Sequence, residues 1–299
     1  MNNKKIFLTG SSGFVGKYII DSFISNYHFK FYKRNETILD LSDIVVHLAG
    51  KAHDLKNTSN ASEYYTVNTD LTIELFDAFL SSDAKVFITL SSVKAIADTL
   101  ESELTEDHLP NPITHYGKSK LLSEQYILSK SIPEGKRVYI LRPCMIHGPG
   151  NKGNLNLLYK IVSKGFPWPL GAFENKRSFC SIDNLCFIIN ELISNDAIPS
   201  GVYNIADDEP IATNELIKLI SESQGKQYQI LNIPVFIIKF ISKVGDLFNF
   251  PLNSERLNKL TETYIVSNGK IKKAINKPLP LSAKEGLMKT LNSFYTNVK

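Results

Sequence analysis

Residues 5–16 read KIFLTGSSGFVG, an apolar run that breaks into glycines at positions 10, 13 and 16 and resumes as a helical pattern with one apolar face. This junction constrains the fold more than any other part of the chain, because a strand that turns straight into a helix opens a β-α-β unit. Gly10 allows the tight turn, Gly13 lets the backbone approach a pyrophosphate, and Gly16 lets the helix pack closely on the sheet. The first helical N–H groups lack intrahelical partners and carry the positive end of the helix dipole, which suits an anion. Three glycines in a turn say little alone. The strand before them and the amphipathic helix after them make this a dinucleotide-binding turn, with Gly10, Ser12, Gly13, Phe14, Val15 and Gly16 as its cofactor-binding residues.

The same alternation continues. Strand patterns fall at Lys5–Thr9, His28–Lys33, Ile44–Leu48, Lys85–Ser91, Arg137–Arg142 and near Val202–Ile205. Helical patterns fall at Phe14–Ser25, about Ser62–Leu80, His115–Ser129, Thr213–Ser223 and near Ser282–Phe294. Strands alternating with helices imply parallel pairing through crossovers, so the fold class is α/β: a Rossmann doubly wound parallel sheet with a smaller mixed C-terminal substrate lobe. Beyond Pro143 the pattern loosens into Gly and Pro clusters at 148–153 and 165–171. At 299 residues the chain exceeds one comfortable core, and it divides into a dinucleotide-binding domain of 1–145, with a return segment at about 178–206, and a substrate lobe of 146–177 and 207–299.

Apolar residues make up 43% and charged residues 21%, an ordinary globular balance that excludes a disordered or collagen-like chain. Lys and Arg total 34 against 30 Asp and Glu, a formal charge of +4 that is too small and dispersed for nucleic acid but suits an anionic small molecule. The 3 cysteines, Cys144, Cys180 and Cys186, have no zinc-type spacing, so a reducing cytoplasmic setting fits better than disulfides or metal. His47, His53, His115 and His147 are scattered without ligand spacing and predict no metal site. Two lysines precede Ile6-Phe7-Leu8 in imitation of a signal peptide, but the run ends at once in the glycine turn. The longest apolar stretch, Ile233 to Phe250, is interrupted by Lys239, Lys243 and Asp246 and is too polar to span a bilayer. Its apolar positions Val235, Ile238, Ile241, Val244, Leu247 and Phe248 predict a helix that covers a second core rather than one lying on a membrane surface.

A second anchor is Tyr116-Gly117-Lys118-Ser119-Lys120, in which a tyrosine and a lysine four apart share one helix face. A phenol titrates near 10, and bringing it to about 7 takes roughly 4 kcal/mol of phenolate stabilisation, much of which a neighbouring ammonium in a poorly solvated cleft can provide. Ser91-Ser92 ends a parallel strand, the end at which ligands of such sheets bind. A hydroxyl there can hold a substrate oxygen while Tyr116 gives or takes its proton. After the second strand, where an acid would favour NAD, the chain reads Lys33-Arg34-Asn35. A guanidinium at Arg34 grips a 2′-phosphate that a carboxylate would repel, so NADP(H) is favoured, with NAD(H) as the alternative.

These pieces resemble the extended short-chain dehydrogenases/reductases, the nucleotide-sugar epimerase/dehydratase group. The likeness rests on TGSSGFVG (9–16), VVHLAG (45–50), VNT (67–69), LSS (90–92), YGKSK (116–120), LRP (141–143), HGPG (147–150) and RSFCSIDN (177–184), and thins beyond residue 184. The resemblance implies Ser92, Tyr116 and Lys120 as catalytic residues, with Tyr116 the acid/base and Lys120 also binding the nicotinamide ribose. It implies that Ala49, Gly50 and Asn68 line the cofactor and that Pro143 starts the loop around the nicotinamide amide. It also implies that Asn154 and Arg177 bind the diphosphate of a UDP-sugar. The family places a strand and helix, ending in an adenine-contacting Asp, where this chain has only Asn35 to Asp43, so Asp40-Leu41 is at most a remnant and the adenine end is expected to be open. A homodimer is compatible with this reading.

Departures from the family narrow the reaction. Its dehydratases carry an Asp-Glu pair directly after the catalytic hydroxyl residue, whereas Val93-Lys94 follow Ser92 here, so elimination lacks its proton shuttles. Oxidation of a sugar alcohol to an acid needs a thiol, and none stands in 91–94. Two reactions remain: C4 epimerisation of UDP-GlcNAc or UDP-glucose with retained NAD, and one-way reduction of a 4-keto sugar. The basic strand end favours reduction. Pro167-Trp168-Pro169-Leu170-Gly171 with Asn175-Lys176-Arg177-Ser178 is similar to the subgroup that reduces UDP-4-keto-6-deoxy-N-acetylhexosamines in surface-polysaccharide synthesis. A catalytically silent NADP-binding sensor would be expected to lose the Tyr-Lys pair, which is intact.

Overall fold

The computed structural model describes residues 4–33, 41–51, 60–151, 153–248 and 253–296. Strand β1 (Lys5–Thr9) turns into helix α1 (Phe14–Phe23), and β2 (His28–Phe31) returns parallel beside β1. Strand β3 (Ile44–His47) pairs with the other side of β1. Next come α2 (Ala61–Tyr65), a π turn at Thr66–Asp70, α3 (Leu71–Ser81), β4 (Val86–Leu90), α4 (His115–Leu128) and β5 (Arg137–Pro143). The chain continues through β6 (Met145–His147), α5 (Asn154–Ser163), β7 (Lys176–Arg177), β8 (Phe179–Ser181), α6 (Ile182–Ser194), β9 (Gly201–Ile205) and β10 (Ile211–Ala212). Helices α7 (Thr213–Ser223), α8 (Val235–Phe248), α9 (Ser254–Thr261), α10 (Gly269–Ile275) and α11 (Ala283–Thr296) complete it.

The main sheet runs β2-β1-β3-β4-β5-β9 with every pairing parallel, the doubly wound architecture expected from the alternation. Two short pairs lie outside it, β6 with β8 parallel and β7 with β10 antiparallel. Alternate residues of each central strand serve opposite layers, as strand geometry demands. Ile6, Leu8, Ile44, Val46, Ile88, Tyr139 and Leu141 pack with Ile19 and Phe23 of α1 and with Leu185, Ile188, Ile189 and Leu192 of α6. Phe7, Val45, Phe87, Val138 and Ile140 pack with Leu75, Phe76 and Phe79 of α3 and Ile127 of α4. A further core gathers Leu155, Tyr159 and Val162 of α5, Trp168, Leu216 and Ile217 of α7, and Leu287 and Leu291 of α11.

The structure departs from the sequence reading at three places. The helix expected over 62–80 is interrupted by the π turn at Thr66–Asp70, which rotates Asn68 inward. Helix α6, which the sequence reading did not name, has a broad buried face of Ile182, Leu185, Cys186, Ile188, Ile189, Leu192 and Ile193 that leaves only a narrow outward stripe of Asp183, Phe187, Asn190 and Ser194. Helix α8 forms as predicted, but of its apolar stripe only Ile238 is buried in the second core. It turns Ile238, Ser242 and Gly245 inward and leaves Phe236, Phe240, Leu247 and Phe248 exposed.

Candidate active site

The topological switch lies between β1 and β3, where the chain leaves β1 for one side and later returns to the other. Gly10 takes φ +70, and a Cβ there would sit 2.7 Å from Ala49 N and from the Leu48 carbonyl carbon, so the turn nests against the end of β3. Gly16 works differently from the expectation. A Cβ on it would overlap the Gly10 carbonyl oxygen, so its lack of a side chain lets the turn fold onto the first turn of α1 rather than bringing α1 to the sheet. At Gly13 a Cβ would meet only the Gly10 oxygen, at 3.2 Å. Gly13 is the N-cap of α1 and no side chain caps the helix, so its first N–H groups face the turn as donors for an anion. Ser12 and Gly13 are exposed there, with Phe14 and Val15 half-buried behind them. That bare, positively polarised turn fits the pyrophosphate of a dinucleotide.

A buried polar chain fixes the neighbouring loop. Thr72 Oγ1 donates to the Asn68 carbonyl at 2.8 Å and therefore accepts from His47 Nε2, 2.9 Å away. His47 Nδ1 is then the acceptor for the Thr9 hydroxyl at 2.7 Å, and Thr9 Oγ1 accepts the N–H groups of Leu48 and Ala49 at 3.1 and 3.0 Å. The imidazole is thus neutral. Complete burial, with the charge of Lys120 nearby, pushes its pKa down to about 3.

Asn68 is fully buried; its Oδ1 accepts from Lys51 N at 2.8 Å, and its Nδ2 donates to the Lys51 carbonyl at 3.1 Å and to Ser119 Oγ at 3.0 Å. A Cβ on Gly50 would lie 3.1 Å from Lys120 Nζ, so the loop after β3 reaches the lysine of α4. Ala49 and Gly50 therefore lie between the glycine turn and Lys120.

Ser92 follows β4 and caps a short turn at Val93–Ala95, its Oγ accepting Lys94 N at 3.2 Å. Tyr116, in the first turn of α4, hydrogen-bonds Ser92, and its ring meets Tyr64 edge-on with centroids 6.3 Å apart. Gly117 permits this approach: a Cβ there would overlap the Lys94 carbonyl and sit 2.9 Å from Pro112 Cβ. Lys120 is buried and donates to the Leu90 carbonyl at 2.8 Å. Burial pulls its pKa down to about 8, partly opposed by Glu124. The phenol of Tyr116 moves opposite to the sequence expectation, upward, because its burial outweighs the hydrogen bond from Ser92. The lysine that was expected to acidify it instead holds a carbonyl at the end of β4.

Below this trio Arg142 and Glu124 form a buried ion pair, Arg142 Nη2 to Glu124 Oε2 at 2.6 Å, and Ser91 Oγ donates to the same carboxylate. This pair binds β4, β5 and α4 together beneath Pro143, which ends β5. Cys144 follows, half-buried, with its thiol pushed well above its ordinary pKa by burial. Gly117, Ser119, Thr9, Thr72 and Glu124 position the site yet carry no chemistry of their own. Only their places beside the motifs could have drawn attention to them.

Beyond Ser92, Lys94 donates to the Asp98 carbonyl at 2.6 Å with its ammonium 4.0 Å above the Tyr264 ring. Arg177, expected to meet a diphosphate, is held by Glu262: Nε donates to the Glu262 carbonyl at 3.2 Å, and Nη2 lies 3.4 Å from its carboxylate and bonds the Lys259 carbonyl. Asn154 is the first residue of α5, directly after its N-cap Gly153. Arg34, Asp40 and His53 lie outside the described residues.

Residues 30–206 match the NAD dependent epimerase/dehydratase family. The chain is 30% identical to the UDP-glucose 4-epimerase of Vibrio cholerae over 97% of its own length and 95% of that protein. UDP-glucuronic acid 4-epimerase from Bacillus cereus, solved in complex with NAD, superposes with a TM-score of 0.75 at 20% identity, over 99% of this chain and 100% of that one. RMD from Pseudomonas aeruginosa, solved with NADPH, superposes with a TM-score of 0.72 at 20% identity, over 98% and 100%.

Proposed function

Because the chain belongs to the NAD dependent epimerase/dehydratase family and is an NAD(P)-dependent nucleotide-sugar enzyme, we propose that it reduces the C4 ketone of a UDP-4-keto-6-deoxy-N-acetylhexosamine, with NADP(H) favoured over NAD(H). The observation that carries this reading is the hydrogen bond between Ser92 and a half-buried, protonated Tyr116, with Lys120 one turn further along the same helix. When bound, the nicotinamide dinucleotide supplies the hydride. Gly10 to Gly16 and the N-terminus of α1 take its pyrophosphate, while Ala49, Gly50, Asn68 and Pro143 border the rest of its path.

Reduction adds a hydride to C4 and a proton to O4. Ser92 holds O4, and Tyr116 delivers the proton as negative charge develops on that oxygen. Burial favours this direction, since a phenol whose pKa is raised keeps its proton at neutral pH until the transition state asks for it. Lys120, held at the Leu90 carbonyl, orients the nicotinamide ribose. Arg177 and Asn154 receive the UDP diphosphate, Arg177 exchanging its Glu262 contact for phosphate oxygens. Val93 is buried and apolar and Lys94 is engaged with Asp98 and Tyr264, so neither offers the acid-base pair that elimination of water requires.

The relative from Vibrio cholerae favours a second reading, C4 epimerisation of a UDP-hexose with retained NAD. One pair of incubations separates them. Consumption of NADPH with the 4-keto sugar supports the reductase; interconversion of UDP-GlcNAc and UDP-GalNAc, or of the corresponding glucose pair, without added reductant replaces it with the epimerase.

A further inference from the structure

Helix α8 presents an apolar face that no described residue covers. Phe236 is 73% exposed, Phe240 68% and Leu247 79%. On helical geometry Phe236, Phe240 and Leu247 stand opposite the inward-facing Ile238, Ser242 and Gly245. Lys239 and Lys243 form one flank of that outward face, and Ile237, Ile241 and Phe248 the other. The segment leading to the helix also exposes apolar side chains. Leu231, 42% exposed, donates its N–H to the Trp168 carbonyl two residues from Phe166, which is 67% exposed. Single exposed apolar residues are ordinary, but an aromatic face on one helix is not.

The charges on the helix select the occupant. Two exposed lysines flank the aromatic face against one acid on the helix, Asp246, whose carboxylate is bonded to Ser254 N and Oγ at 2.9 and 2.6 Å at the start of α9, so the flank is net positive. A second copy meeting this face about a two-fold axis would bring two net positive flanks toward each other. An anionic phospholipid surface answers both features, taking the aromatic side chains between its acyl chains and the ammonium groups at its phosphates. No helix among the described residues is long and apolar enough to cross a membrane, and this one would lie along it.

We propose that α8 docks the protein, by Phe236, Phe240 and Leu247 with Lys239 and Lys243, onto the surface of an anionic phospholipid bilayer. The inference is independent of which sugar the active site turns over. It places the half of the molecule that contains α5, α7 and α11 against the bilayer, because Ile238 joins α8 to their shared core.

Vesicle co-sedimentation of the full chain tests it, using phosphatidylglycerol/phosphatidylcholine vesicles beside phosphatidylcholine alone. The expected result is binding to the anionic vesicles that weakens with added salt as the Debye length shortens. F236S/F240S should lower the partition coefficient by about tenfold or more, and K239E/K243E by about fivefold per lysine on anionic vesicles only. Both variants should keep the parent's thermal midpoint and gel-filtration mass, since all four side chains are exposed. Absence of binding to anionic vesicles overturns the proposal, as does equal binding of F236S/F240S. Lipid-free self-association that F236S/F240S abolishes also overturns it, and assigns the face to a second copy of the chain.

Discussion

The side-chain amide of Asn68 donates to Ser119 Oγ at 3.0 Å, which fastens the π turn after α2 to the residue directly before Lys120. The same amide pairs with both backbone groups of Lys51, so one fully buried side chain sets the distance between the loop after β3 and the lysine of α4. Asn68→Leu keeps the volume and removes all three bonds, leaving the Lys51 N–H and Ser119 without this partner. The expected cost is about 1–3 kcal/mol of stability. Activity should fall further than that loss explains, with cofactor KM rising as the loop loosens. Calorimetry with steady-state kinetics checks it; an unchanged KM would confine Asn68 to a structural role.

Tyr116→Phe removes the proton donor while keeping the ring against Tyr64. Turnover should fall by roughly 10²–10⁴-fold, the usual weight of a positioned acid. Cofactor affinity, followed by nicotinamide fluorescence, should not move. Turnover within a factor of about two of the parent would take the phenol out of the proton path.

Motifs whose function depends on backbone shape were legible from residue order. The glycine turn, the strand-helix alternation and the shared face of Tyr116 and Lys120 all follow from local spacing, and the parallel sheet follows from them. What spacing could not supply was environment. Whether Lys120 acidifies Tyr116 depends on where its ammonium points, and the Leu90 carbonyl, thirty residues away in sequence, takes it. Gly16 looked like a helix-sheet contact, yet its neighbour is Gly10 of its own turn. Asn68 was legible as a motif residue, but the π turn that rotates it inward leaves no mark in apolar periodicity. Helix α8 was legible as a helix, whereas the side that faces the protein joins Ile238 to two small residues, Ser242 and Gly245, that a hydrophobic stripe does not reveal.

Gly117 lies where α4 crosses the turn after Ser92, and a methyl group there would overlap the Lys94 carbonyl. Gly117→Ala must therefore push α4 away from Val93–Ala95. Overpacking of this kind costs about 1–3 kcal/mol, part of which the better helix propensity of alanine returns. Because the displaced contact carries the Ser92–Tyr116 hydrogen bond, kcat should fall at temperatures where the variant remains folded. A variant with lowered thermal midpoint but parental kcat would show that the site tolerates the shift.

His47 makes the molecule acid-sensitive in a defined window. Its folded pKa is pushed down to about 3 from an ordinary value near 6.5, because the ring is wholly buried and the charge of Lys120 lies nearby; its nitrogens are bonded to Thr9 and Thr72. Well above pH 6.5 the imidazole is neutral in both states and contributes no pH dependence. Below it the unfolded chain takes up a proton that the folded protein refuses until about pH 3, so stability falls as the pH drops through this interval. Between pH 7 and pH 5 the loss from this one group is about 2 kcal/mol. His47→Gln should be less stable than the parent at pH 7, where one of the two threonine bonds is poorly matched, yet should lose about 2 kcal/mol less on acidification to pH 5. Urea denaturation of both proteins at the two pH values reads the difference. A gap between parent and variant that stays constant from pH 7 to pH 5 would mean that the folded protein protonates His47 as readily as the unfolded chain, and that the Thr9–His47–Thr72 chain does not hold the neutral ring.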